Sequence, residues 1–267
     1  MLTSCDFWHH DKPDTLVEID LTGRGMTLPK DMYGAYVKDI NSVVVNKSKP
    51  GTGTLNAALD VATCLMELES NADTVKKTAN GSESGNLHKW IINQGMVVSN
   101  HGQTYKTPSY YAVNMFSENK PDRVMPAKVT YLSSNLREDS TARLMQKEKN
   151  QSGVGIGTRR SSIYATAGIH EKQGLVIIKI VNAFNNPHEI KIVLNQKKQI
   201  KYKGEVTVLA SKSIMDENSY RTPENVVPMT RELNGLKNTF YYKCPANSIV
   251  IINVRYKKGI NGTGNCC

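Results

Sequence analysis

The sequence predicts a mainly β protein: a C-terminal antiparallel β-sandwich, jelly-roll-like, accompanied by at least two helices. Three observations predict it. Between Ala127 and Tyr256, seven short runs rich in Val, Ile and Tyr are separated by Gly, Asn and Pro turns. Within them the apolar residues recur every second position, as in Ile190, Ile192 and Leu194 against Glu189, Lys191 and Val193. Ahead of them, two segments carry apolar residues at three- and four-residue steps behind good capping residues.

Residues 1–13 read as a disordered leader, with neither a basic start nor an apolar core that would mark an export signal. "LTSC" at Leu2–Cys5 lacks the apolar run that would deliver a lipid-attachment box to a membrane. His9, His10 and Asp11 lie close enough to suggest a metal clamp, but a short terminal tract without further ligands reads as a loose end. No metal and no cofactor is implied. Residues 14–48 read as a strand at Leu16–Leu21, "LVEIDL", followed by a Gly- and Pro-containing linker.

The helix that follows has Leu55, Ala58, Leu59, Ala62, Leu65 and Met66 on one stripe, with Thr54 or Thr52 placed to cap its first turn, and should run to about Ser70. Thr78–Lys106 is rich in Asn, Gly and Ser and carries one strand near "WIINQGMVV". "TPSYYAVNMFSENKP" reads as a second helix: Thr107 caps, Pro108 occupies the first turn where its missing N–H costs nothing, and Pro121 forbids continuation. Tyr111, Ala112, Met115 and Phe116 are its expected buried face. These helices fall in a unit at 49–122. The sandwich occupies 123–258, interrupted by a mobile surface insertion at 134–160, and a tail follows at 259–267.

Composition bounds the function. With 267 residues and 39% hydrophobic content, the chain can bury a sizeable core. The net charge of +10 is spread along the chain, and its short clusters, Lys197, Lys198, Lys201, Lys203 and Arg255, Lys257, Lys258, are not interleaved with stacking aromatics. A solvated basic face is the reading, with no nucleic-acid partner. No stretch approaches the roughly 18 apolar residues of a membrane span, so no membrane partner is expected. The five cysteines show no metal or redox spacing; Cys64 reads as a small core residue and the terminal "GNCC" as a frayed tail. Asn46, Asn80, Asn150 and Asn261 begin N-x-S/T triplets and are glycosylation candidates in a secretory lumen.

Three phrases carry a resemblance. "GTLNAALDVATCLMELESNADTVKKTAN", "YKTPSYYAVNMFSENKPDRVMP" and "VLASKSIMDENSYRTPENVVP" are similar, in this order, to segments of the α-L-arabinofuranosidases of glycoside hydrolase family 51. "LVEIDLTGRGMTLPKDMYGAYVKDIN" resembles the start of the same enzymes. The resemblance implies that the two helices are left from a β/α barrel, and that residues 36–55 are a joint. In the family the pieces on either side of it are separated by most of such a barrel, on the order of 250 residues.

The chemistry implied by the resemblance is retaining hydrolysis of terminal arabinofuranosyl residues, which needs a nucleophile and an acid/base about 5–5.5 Å apart. The family's acid/base is the Glu of an Asn-Glu pair, a dipeptide this sequence lacks. Its nucleophile strand would fall at "NSVVVNKSKP", which contains no carboxylate. No catalytic residue is therefore assigned. By resemblance Lys38, standing where the family has a sugar-contacting Glu, and its neighbour Asp39 are candidate substrate-binding residues. Trp90 is a candidate for stacking on a sugar ring, or a core or interface residue. Glu67, Glu69, Glu118, Asp216 and Glu217 are expected to be solvated or capping charges.

Two function classes follow: an α-L-arabinofuranosidase by descent, with this chain inactive, or a noncatalytic sandwich that binds carbohydrate or protein. The expected partner is an arabinose-containing polysaccharide or oligosaccharide. Self-association is expected if the helix stripes, evolved for barrel strands, are exposed.

Overall fold

The computed structural model describes residues 13–29, 44–45, 53–72, 96–100, 102–132, 162–196 and 200–256. In chain order these form β1 (Thr15–Asp20), β2 (Met26–Thr27), β3 (Val44–Val45), α1 (Leu55–Ser70), β4 (Val97–Asn100), β5 (Gln103–Lys106) and α2 (Pro108–Glu118). They continue as β6 (Arg123–Met125), β7 (Ala127–Tyr131), β8 (Ile163–His170), β9 (Leu175–Asn182), β10 (His188–Asn195) and β11 (Ile200–Ala210). The last are β12 (Met229–Leu233), β13 (Thr239–Cys244) and β14 (Ser248–Tyr256).

Two sheets make the expected sandwich. The smaller has the order β13-β10-β1-β7 and the larger β12-β11-β14-β9-β8-β6-β2. Every pairing in the larger sheet is antiparallel. In the smaller sheet β1 departs from the expectation: it runs antiparallel to β7 but parallel to β10, with Val17 opposite Ile192. A strand that arrives from far upstream and is not tied to its neighbour by a hairpin is free to take either direction. The alternation read in β10 holds, since Ile190, Ile192 and Leu194 are buried and the residues between them are not. Their side chains meet Val176, Ile178 and Ile180 of β9 and Val250, Ile252 and Val254 of β14 in the core between the sheets.

β9 and β14 are buried on both faces. Ile177, Val181, Ile249 and Ile251 point away from the inter-sheet core and join a second cluster with α1 and α2. The molecule therefore has three layers: small sheet, large sheet and helices. The helix stripes are thus covered, so the condition on which self-association was expected is not met. Leu55, Ala58, Leu59, Ala62 and Leu65 are fully buried in α1, as are Ala112, Val113 and Phe116 in α2. The apolar outer face of the large sheet supplies the surface these stripes require, so they give no reason for self-association. Of the two tyrosines in α2, Tyr110 is the buried one and Tyr111 is half-buried at the rim, because helical phase turns Tyr110 toward Val113.

Both helix starts follow the expected chemistry. Thr54 Oγ1 accepts from Ala57 N, and Thr107 Oγ1 accepts from Tyr110 N with Pro108 in the first turn. The first two amides of α1 are satisfied from outside: Leu55 N donates to Asp216 O (2.8 Å) and Asn56 N to Ile214 O (2.8 Å). A small third sheet, β3-β4-β5, has β3 parallel to β4. With α1 between them in the chain, β3-α1-β4 has the connectivity of a βαβ unit, the building block of a β/α barrel.

Strands β2, β5, β6 and β12 went unread; β6 (Arg123–Met125) lies just ahead of the first run read as a strand. β12, almost wholly exposed, has no apolar period to announce it and pairs through its backbone to the edge of β11. β2 and β5 lie in stretches read as connection and loop. Within β11 the register shifts between Ile200 and Gly204, and a Cβ on Gly204 would stand 2.6 Å from Asn253 O and from Leu236 Cδ1. Only glycine allows β14 and Leu236 this close.

Candidate functional site

Lys38, Asp39 and Trp90, the glycosylation candidates Asn46, Asn80, Asn150 and Asn261, and the His9-His10-Asp11 tract lie outside the described residues. So do the leader at 1–13 apart from Pro13, the insertion at 134–160 and the tail at 259–267. Among the described residues, no group of three or more His, Cys, Asp or Glu side chains could hold a metal ion.

The carboxylates considered from sequence divide. Glu67 is exposed on α1, and Glu118 is exposed at the end of α2, where Asn114 Nδ2 donates to it (2.9 Å). Glu217 is exposed, its backbone bridging Thr54. Asp216 organises a loop: its carboxylate accepts from Ser211 Oγ (2.5 Å) and Ser213 N (3.1 Å) while its carbonyl holds α1. These four behave as solvated or structural charges.

Glu69 does not. Its side chain is 2% exposed and ion-paired with Lys179 of β9, itself 2% exposed. Lys179 Nζ donates to Glu69 Oε1, and Thr166 Oγ1 donates to Glu69 Oε2 (3.2 Å). Thr166 and Lys179 are direct cross-strand neighbours on β8 and β9, so both reach the same carboxylate. The Phe116 ring of α2 lies 4.4 Å from Lys179 Nζ, which places an aromatic face on the ammonium. Burial pulls the Lys179 pKa down from its ordinary value, and the Glu69 carboxylate opposes that shift. The sequence did carry a signal: Lys179 is the charged residue inside "LVIIKIVN", a run buried on both faces, and such a charge requires a partner.

This centre is structural chemistry. A carboxylate sealed against an ammonium by a helix layer has little solvent access, and among the described residues it is Lys179 and Thr166 that bind it, not a second carboxyl. The pair helps to fix the register of α1 on the large sheet.

The second polar constellation is open to solvent. The loop between β11 and β12 is tied to the end of β5 by Asn218, which is 1% exposed. Its Nδ2 donates to Lys106 O (2.8 Å) and Val226 O (3.0 Å), and its Oδ1 accepts from Val226 N (2.7 Å). Asn225 Nδ2 donates to Glu217 O (3.1 Å). The loop thereby brings Tyr220 against Tyr105 of β5, edge to face with centroids 4.9 Å apart. Next to Tyr105, Lys106 Nζ lies 4.7 Å from the Tyr110 ring, and Tyr110 meets Tyr111 edge to face at 5.6 Å. Burial raises the Tyr111 phenol, with Lys106 opposing and Glu224 of the loop adding to the rise. No sequence signal joined Tyr220 to Tyr105, because they are brought together by the tertiary fold.

Comparison with known proteins supplies the frame for these observations. Residues 33–248 match the family described as the α-L-arabinofuranosidase C-terminal domain. Alpha-L-arabinofuranosidase 1 of Arabidopsis thaliana is 28% identical over 194 residues, covering 71% of this chain and 25% of the relative. Alpha-L-arabinofuranosidase 2 of the same plant is 28% identical over 193 residues, covering 71% and 24%. The chain thus spans about a quarter of the length of these relatives.

Among solved structures, the GH51 α-L-arabinofuranosidase of Thermotoga petrophila superposes with a TM-score of 0.55 at 14% identity, covering 79% of this chain and 40% of its own. The arabinose-bound MgGH51 α-L-arabinofuranosidase superposes with a TM-score of 0.54 at 21% identity, covering 77% and 28%. These likenesses concern the fold, and they agree with a sandwich that carries two helices on its outer face. With the family model spanning most of its length, the chain belongs to the α-L-arabinofuranosidase C-terminal domain family.

Proposed function

We propose that this chain recognises arabinose-containing glycans without hydrolysing them, as an arabinofuranosidase-type sandwich with helices derived from a barrel. One observation carries the reading. The strand that precedes α1, where the family's nucleophile strand would fall, is Val44–Val45 within "NSVVVNKSKP", a stretch with no carboxylate, and the chain contains no Asn-Glu pair to supply an acid/base. Retaining hydrolysis needs both groups held on opposite sides of the bond, and loss of either removes most of the rate advantage. The glycan half of the proposal is supported by the names of the relatives, which are α-L-arabinofuranosidases.

The test is release of nitrophenol from an aryl α-L-arabinofuranoside by the purified chain. The rate should equal that of buffer. Turnover that disappears on Glu67→Gln, Glu118→Gln or Glu217→Gln, with folding retained, would overturn the proposal, by exposing an acid/base system among those exposed carboxylates.

A further inference from the structure

We infer that Tyr105, Tyr111 and Tyr220, rimmed by Lys106, Arg221 and Glu224, form a binding site for an arabinofuranosyl-containing polysaccharide chain. The inference rests on the glycan reading above and gives it a place on the molecule. Three segments converge there: β5, the first turn of α2, and the loop between β11 and β12. Tyr220 is 37% exposed, Tyr105 and Tyr111 are half-buried, and Lys106, Arg221 and Glu224 are exposed, so ring surface and charged heads are offered to solvent together.

The chemistry matches a sugar chain better than the alternatives. A sugar presents C–H faces, which pack on aromatic rings, and hydroxyls, which both donate and accept. Phenol groups, an ammonium, a guanidinium and a carboxylate around the rings answer both needs. A purely anionic ligand would leave Glu224 opposed, and an aliphatic helix would leave the rim charges unpaired.

The site is also held in shape before any ligand arrives. Asn218, two residues before Tyr220, is locked to Lys106 and Val226 as described. Ser219 N donates to Thr222 O (3.1 Å), Thr222 N donates to Ser219 Oγ (3.1 Å), and the two hydroxyls are 2.9 Å apart, so Tyr220 sits inside a closed turn. Rings fixed in this way lose little freedom on binding, which favours affinity for a weakly held ligand.

The experiment is electrophoresis of the native full chain through gels containing linear arabinan, with dextran gels as the reference. The intact chain should be retarded by arabinan and not by dextran. Tyr105→Ala with Tyr220→Ala should weaken the interaction by about tenfold, and Lys106→Ala by about twofold to threefold, with the thermal midpoint unchanged. Tyr220→Phe, which keeps the ring, should retain the retardation. Retardation of the chain that survives both tyrosine changes would overturn this site and leave the glycan reading standing. Equal retardation by dextran would overturn the site's preference for arabinose chains. No retardation of the unsubstituted chain by arabinan would remove the glycan reading and the site with it.

Discussion

The two faces of the large sheet are packed by different chemistry. Toward the small sheet, Val176, Ile178, Ile180, Val250 and Ile252 meet Ile190, Ile192, Phe240 and Tyr242, a core of interdigitating apolar side chains. Toward the helices, the same strands β9 and β14 again present Ile and Val, but Lys179 stands among them and binds Glu69 of α1. Glu69 and Lys179 are the buried Asp, Glu, Lys or Arg side chains among the described residues. The inner core is joined by strands whose hydrogen-bond ladders already set their register. The helix layer has no ladder to the sheet, so side-chain ties such as this paired charge, and Asn253 Nδ2 of β14 donating to Asn119 Oδ1 (2.6 Å), help to register it. The ion pair adds specificity of position more than net stability, since the mutual attraction of two desolvated ions is largely offset by their lost hydration.

The comparison breaks most readily at the pair. Lys179→Met leaves the Glu69 carboxylate buried without its ammonium, and should cost about 3–5 kcal/mol in urea denaturation. Combining it with Glu69→Leu should restore a good part of that loss, because no unpaired charge remains. Equal losses from the single and double changes would show that the pair does not act as a unit. In the inner core, where no pair exists, Ile192→Ala should cost about 2–5 kcal/mol through the cavity it leaves. No second substitution of opposite charge would rescue it.

A pH series sharpens the contrast from the inner side. Burial pushes the Cys244 thiol up to about 12, with the hydrogen bond to Ser248 opposing it. The folded value lies above the unfolded one, so this contribution to stability is complete below the ordinary thiol value near 9 and is lost as pH climbs toward 12. The expected loss is about 1.4 kcal/mol per pH unit within that window, and Cys244→Ala should flatten it in denaturation at stepped alkaline pH. The smallest effect belongs to the helix start. Thr54→Ala removes one cap but leaves the loop carbonyls of Ile214 and Asp216 on the next amides, and should cost about 1 kcal/mol by thermal melting.

Legibility followed the same division. The inner face of β10, the stripe of α1 and the caps at Thr54 and Thr107 are local patterns, so the sequence announces them. Burial of β9 on its second face is implied by the continuous run "LVIIKIVN", yet the partner of that face lies more than a hundred residues earlier in the chain. Glu69 was expected in solvent because a helical carboxylate is ordinarily a solvated or capping charge, and nothing local says that Lys179 waits above it. The parallel pairing of β1 with β10 and the edge strand β12 depend on backbone ladders, which leave no mark in side-chain period. Of the candidate site, the phrase "MDENSYRTPENVVP" was legible as family resemblance, whereas the meeting of its Tyr220 with Tyr105 was not.

Retaining glycosidases pass through a covalent glycosyl-enzyme, and that step offers the most direct test of the central claim. The purified chain is incubated with a 2-fluoro α-L-arabinofuranosyl donor bearing a good leaving group, and its intact mass is measured. The mass should be unchanged, because the stretch before α1 holds no carboxylate to act as nucleophile. A gain of one fluoroarabinosyl group, mapped by peptide digestion to an Asp or Glu, would contradict the account.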